Sequence, residues 1–161
     1  QLRAHDCYVS HKVSKLRWLG DSEFFVTGSW DEPMGTNGSG DKLCFWRQNL
    51  DRSKALEVPQ NTGFIVHNGD VTDMACIGSS GVVTSSSTGQ VTFFQQKQAD
   101  KTISALSMER AHDGVATAVG VAQGNHEIAS AGEDGKVNFY SLREQKLIAT
   151  WSCGQSITAL K

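Results

Sequence analysis

Three stretches of this chain repeat one another, and the repeat limits the fold more than any other feature. FVTGSWD, a glycine-rich run and KLCFW span Phe25–Trp46; VVTSSSTGQVTFF spans Val82–Phe94; IASAGEDGKVNFY spans Ile128–Tyr140. In each, a β-prone run ends in a turn of small residues, and a second β-prone run ends in an aromatic pair. Thr84 to Thr88 is four residues and Thr88 to Phe94 is six; Ser130 to Asp134 is four and Asp134 to Tyr140 is six. Thr27 to Asp31 is again four, but Asp31 to Trp46 is fifteen. The excess is the run 33–41, which reads as a loop inserted into a hairpin turn, where extra length costs little.

Upstream of each unit, Val13, Leu16 and Trp18 recur as Val71, Met74 and Cys76 and as Val115, Ala118 and Gly120. Ile157 and Leu160 open a fourth copy. A histidine precedes each complete copy: His11, His67 and His112. A fourth run closes each unit in KALEV, TISALSM and KLIATWS. These runs are rich in Val, Ile, Thr and aromatics, which suit a pleated, half-buried surface. Gly89 and Gly135 sit where tight strand turns often demand positive φ. Four short strands in about 40–45 residues is the period of a propeller blade, whose two apolar faces need a neighbour on each side.

These residues resemble the WD-repeat family of β-propellers over nearly the whole chain. The resemblance implies an all-β, WD40-type propeller, here about three blades and one strand of a ring of seven. It places an N-terminal edge strand at 1–10, with the Tyr8–Ser10 region completing the ring's last blade. Blade one is 11–58, blade two 67–109, blade three 112–152 and the first strand of a fourth blade 156–161. The seven-bladed comparison makes the chain a portion of a longer polypeptide, with an uncovered blade face that would drive association. The resemblance also implies a structural network in each blade. Blade one would use His11, Thr27, Asp31 and Trp46; blade three would use His112, Ser130 and Asp134, with Tyr140 in place of Trp. Blade two keeps His67 and Thr84 but has Thr88 for Asp and Phe94 for Trp. The dipeptide Trp30-Asp31 is not the family's signature pair, whose place is Trp46-Arg47.

The order and spacing of FVTGSWD, HNGDVTDM, SSSTGQVTFF, AGEDGKVNFY and VSHKVSKLRW are similar to the small single-propeller WD nucleoporins of the Y-shaped outer-ring scaffold of the nuclear pore. That similarity implies a non-enzymatic scaffold in the nucleus at the pore, with no cofactor. Its expected partners are other Y-complex nucleoporins, above all a helical-solenoid nucleoporin of the short arm. It further implies support of pore assembly and nucleocytoplasmic transport, and in animal relatives a kinetochore role in mitosis. Trp30, the 33–41 loop, Asn68 and Asp70 are the expected partner contacts. The alternative is another WD adaptor, such as a ubiquitin-ligase substrate receptor or a peptide reader.

Other chemistries fit poorly. Gly35-x4-Gly40-Asp41-Lys42-Leu43 approaches a phosphate loop, but Asp41 intrudes, no Ser/Thr follows the lysine, and a β-prone run stands where a helix is needed. Asn37-Gly38-Ser39 is a glycosylation sequon, unused in a nuclear or cytosolic protein. The net charge of −2 and the single small basic group Lys12, Lys15, Arg17 offer no footprint for direct nucleic-acid binding. No apolar run reaches the roughly 20 residues of a membrane span. Cys7, Cys44, Cys76 and Cys153 lack paired spacing and read as reduced thiols. Histidines recurring once per blade cannot converge on one metal ion. His5-Asp6-Cys7 reads as a terminal segment and His126 as a turn residue facing solvent. No catalytic triad is apparent.

Overall fold

The computed structural model describes residues 11–31, 40–51, 53, 57–108, 111–122, 124 and 126–160. Among them there is no helix. Twelve strands form three four-stranded antiparallel sheets, each a meander in chain order. The first holds β1 (Val13–Trp18), β2 (Phe24–Ser29), β3 (Lys42–Arg47) and β4 (Gln60–Val66). The second holds β5 (Val71–Ile77), β6 (Gly81–Ser86), β7 (Val91–Gln96) and β8 (Ile103–Ser107). The third holds β9 (Ala116–Val121), β10 (Glu127–Gly132), β11 (Lys136–Ser141) and β12 (Lys146–Ser152).

The sheets stack as successive wedges. Val26, Leu43 and Phe45 of the first sheet pack on Val71, Met74, Val82 and Phe94 of the second. Val83, Val91 and Met108 of the second pack on Ala116, Val119, Ile128 and Tyr140 of the third. Burial of these side chains, about 1.5–3 kcal/mol for each large one, is the main force joining sheet to sheet. The three sheets do not close on themselves. Leu16, Trp18, Phe64 and Val66 are exposed on the free side of the first sheet. The free side of the third holds an apolar hollow of about 500 Å³ floored by Phe139, Trp151 and Leu160.

Three sequence expectations change. The third sheet's repeat begins at Ala116, so Ala116 and Val119, not Val115 and Ala118, match Val71 and Met74 in the core. A slip of one residue swaps every side chain to the other face. Blade one does not end at residue 58: the strand paired with β3, from Lys42↔Val66 to Arg47↔Gln60, is Gln60–Val66, while residues 54–56 of the expected closing run KALEV lie outside the described residues. Residues 156–160 carry no strand ladder, yet Ile157 packs beside Ala118, Ala131 and Val137. The expected edge strand at 1–10 and the inserted loop up to residue 39 lie outside the described residues.

Glycine is required where turns press on the next wedge. Gly89 has φ +86°, and a Cβ there would stand 2.4 Å from the His112 carbonyl oxygen. That glycine carbonyl accepts the His112 N–H at 3.1 Å, so the turn of one sheet holds the entry to the next.

Candidate functional site

The repeat histidines of the second and third sheets, His67 and His112, are each held by two hydrogen bonds inside their own wedge. In the third sheet, His112 is fully buried between β9 and the β10–β11 turn. Its Nε2 lies 2.8 Å from Ser130 Oγ and its Nδ1 3.0 Å from Asp134 Oδ1. Asp134 also accepts the backbone N–H groups of Asp113 and Lys136, each at 3.1 Å. Burial alone would raise the Asp134 pKa; the hydrogen bonds from His112, Asp113 and Lys136 outweigh it and hold the carboxyl below its usual range. Tyr140 is buried in the same group. Burial pushes its phenol up, against hydrogen bonding with Ser130 and Asn138.

The second sheet keeps a reduced version. His67 Nε2 lies 2.9 Å from Thr84 Oγ1, and Nδ1 lies 2.6 Å from the Gly69 carbonyl, which replaces the missing acid. Burial holds the His67 pKa below its ordinary value, while the Gly69 carbonyl and Asp70 act the other way. Thr88 bonds Ser86 Oγ and the Asn68 carbonyl rather than the histidine, and Phe94 sits tilted on the His67 ring at 6.0 Å.

The first sheet divides the set. Trp46 Nε1 donates to Thr27 Oγ1 at 2.9 Å, but His11 Nδ1 stands 4.0 Å from Cys44 Sγ. Burial pushes the Cys44 thiol up to about 11. Asp31 is a correction: it is exposed, has φ +52°, and pairs with Lys12 at 2.7 Å instead of joining Thr27 and Trp46. The buried acid is Asp41, expected to belong to the inserted loop. Ser29 Oγ lies 3.1 Å from Asp41 Oδ1, and the Asp41 carbonyl accepts His67 N–H at 2.7 Å. Asp41 thereby occupies the place of Gly89 and Gly135, whose carbonyls accept His112 and Cys153 N–H.

The expected contact residues come together on one rim. Trp30 is 47% exposed, with Lys12 Nζ 5.7 Å from its ring centroid. Asp31 N–H donates to Asp70 Oδ1 at 2.8 Å, tying the first sheet's β2 exit to the loop entering the second. The Asp70 backbone exchanges hydrogen bonds with Ser87, and Asn68 Nδ2 donates to Gln90 Oε1 at 3.1 Å. The surface is therefore an aromatic platform beside two carboxylates and one ammonium, held by backbone bonds. Such a surface suits protein recognition, in which Trp is favoured as an anchor.

Among the described residues no cluster of His, Cys, Asp or Glu is arranged to hold a metal ion. His126 is exposed in its turn. Among the described residues, Cys44, Cys76 and Cys153 are free thiols, and no helix is long and apolar enough to cross a membrane. Sequence reasoning missed the residues that cross the wedge boundaries. Gln96 is buried, accepts from Thr62 Oγ1 and donates to the Thr62 carbonyl, both at 3.1 Å. Arg17 donates to Asp73 and to the Met74 carbonyl. Neither residue belongs to the repeated pattern, so period alone could not find them.

A family model described as WD40, the WD domain or G-beta repeat, matches residues 1–32. Nucleoporin Nup43 of Mus musculus and of Homo sapiens are each 31% identical to the chain over 173 residues, covering 94% of the chain. The match covers 44% of each relative, so the chain spans less than half the length of these curated proteins.

Proposed function

Because the chain belongs to the WD-repeat β-propeller family, we propose that it is part of a scaffold nucleoporin, working by rigid presentation of blade turns rather than by catalysis. The likeness to nucleoporin Nup43 over 94% of the chain carries this reading. The geometry supports it, because His67, His112 and Asp134 are engaged in hydrogen bonds within their wedges. The site of action is the nuclear pore. The partners are nucleoporins of the Y-shaped outer ring, with a helical-solenoid nucleoporin of the short arm as the direct neighbour. The tasks are pore assembly and nucleocytoplasmic transport, with kinetochore attachment in mitosis where that role exists. Trp30, Asn68 and Asp70 form the proposed contact rim.

Affinity purification of the full-length protein from its own cells tests this. Recovery of solenoid nucleoporins with a rim-shaped signal at the nuclear envelope is expected. Recovery of ubiquitin-ligase or chromatin components without nucleoporins overturns it in favour of another WD adaptor.

A further inference from the structure

The first strand of each sheet carries a one-residue bulge at its second position. The pairing of β1 with β2 skips between Val13 and Lys15, leaving Ser14 out. That of β5 with β6 skips between Val71 and Asp73, leaving Thr72 out. In β9 the partners pass from Ala118 to Ala116, leaving Thr117 out. All three skipped residues carry a hydroxyl that reaches beyond its own sheet, to the next sheet for Ser14 and Thr72 and to Ile157, which carries no ladder, for Thr117. Ser14 Oγ donates to the Val71 carbonyl at 2.9 Å, Thr72 Oγ1 to the Ala116 carbonyl, and Thr117 Oγ1 to the Ile157 carbonyl. Each hydroxyl has one proton. The in-sheet contacts are longer for Ser14 (Gly28 carbonyl, 3.1 Å) and for Thr117 (Ala131 carbonyl, 3.3 Å), and Thr72 also meets Ser85 Oγ at 2.8 Å, a hydroxyl that can itself donate, so each proton goes outward.

We infer that Ser14, Thr72 and Thr117 are interblade positioning residues: each bulge turns a hydroxyl out of its own ladder to fix the alignment of the following blade's first strand. The acceptor in each case belongs to the residue just before a bulge hydroxyl or its counterpart: Val71 before Thr72, Ala116 before Thr117, and Ile157 before Thr158. Donor and acceptor positions therefore run on from wedge to wedge. Because the acceptor is a backbone carbonyl, the latch works on Val, Ala or Ile alike, where side-chain packing would have to be matched anew at each boundary. Exposed Thr158 is the next donor in the series.

The test is Thr72→Val against Thr72→Ser in the full chain, read by thermal midpoint and by native-state amide exchange. The Val119 N–H, which donates across the same boundary to Asp73 Oδ2, is the reporter. Thr72→Val leaves a carbonyl unpaired, lowering Tm by about 3–8 °C and speeding exchange at Val119 relative to amides inside β6 and β7. Thr72→Ser restores both. Equal behaviour of the two variants, or an equal rise in exchange throughout the second sheet, overturns the inference. Should Thr72→Val fail to fold, Ser14→Ala at the first boundary replaces it: a lowered Tm supports the latch and an unchanged Tm overturns it.

Discussion

Arg17 in the first sheet and Asp73 in the second meet across the wedge boundary at 3.2 Å, and the same carboxylate accepts the Val119 N–H of the third sheet at 3.2 Å. One side chain thus touches all three wedges. Arg17 adds a second tie, from Nε to the Met74 carbonyl at 3.0 Å. Asp73→Ala should destabilise the chain by about 1–2 kcal/mol, the partial exposure of the pair keeping the loss modest. Arg17→Ala should cost about 0.5–1.5 kcal/mol. A double-mutant cycle in urea should give a favourable coupling; strict additivity would show that the two groups act separately.

Acid should weaken the fold in two windows. The folded His67 pKa lies below its ordinary 6.5, so the unfolded chain binds the extra proton first. Stability is lost as pH falls below about 6.5, until the folded pKa is passed. The Asp134 pKa is also lowered, so its contribution is present above 3.8 and lost as pH falls from there through the folded pKa. Urea midpoints from pH 7.5 to 5.5 should decline for the natural chain. His67→Gln should flatten that slope even if it lowers the midpoint at both ends.

A turn glycine and a strand glycine should respond very differently to alanine. Gly89→Ala puts a methyl against the His112 backbone at a positive φ and should cost about 2–4 kcal/mol. Gly120 has open space around the position of a Cβ, so Gly120→Ala should be neutral within about 0.5 kcal/mol. Thermal melts of the pair give the comparison.

Tryptophans 30 and 46 should separate binding from stability. Trp46→Phe removes the hydrogen bond to Thr27 inside the first sheet and should cost about 1–2 kcal/mol. Trp30→Ala should leave Tm within about 2 °C, since its cation contact with Lys12 is exposed. It should weaken capture of a solenoid nucleoporin at least about tenfold if the rim is the contact. Quantitative pulldown with both variants checks this.

The repeat made the wedges legible because strand alternation and turn chemistry are local. The spacing Ser130, Asp134, Tyr140 led directly to residues that the fold brings together around His112. Spacing failed where the chain departs from its own period. Between Thr27 and Trp46 the insertion uncouples the count, so counting forward reached exposed Asp31 while the buried acid lay at Asp41. Val115 outranks Ala116 in β-propensity, yet the bulge at Thr117 sets the face, and bulges follow from pairing rather than from composition. The run KALEV reads as the closing strand of the first unit, yet the strand beside β3 is QNTGFIV. Pairing with β3 decided for the latter, with a register shift opposite Phe45 and Trp46. The boundary residues Arg17, Asp73 and Gln96 were silent because their partners are far away in sequence.

Ile157 is already seated against the third sheet although no ladder surrounds it. Its N–H donates to the Gly132 carbonyl and its own carbonyl receives Thr117. A polypeptide leaving the ribosome could therefore lodge the leading strand of each unit on a finished predecessor before the remaining strands are made. Growth would then be directional, each module guiding the next into place, and the long-range search that slows most β proteins would shrink to one short step per module.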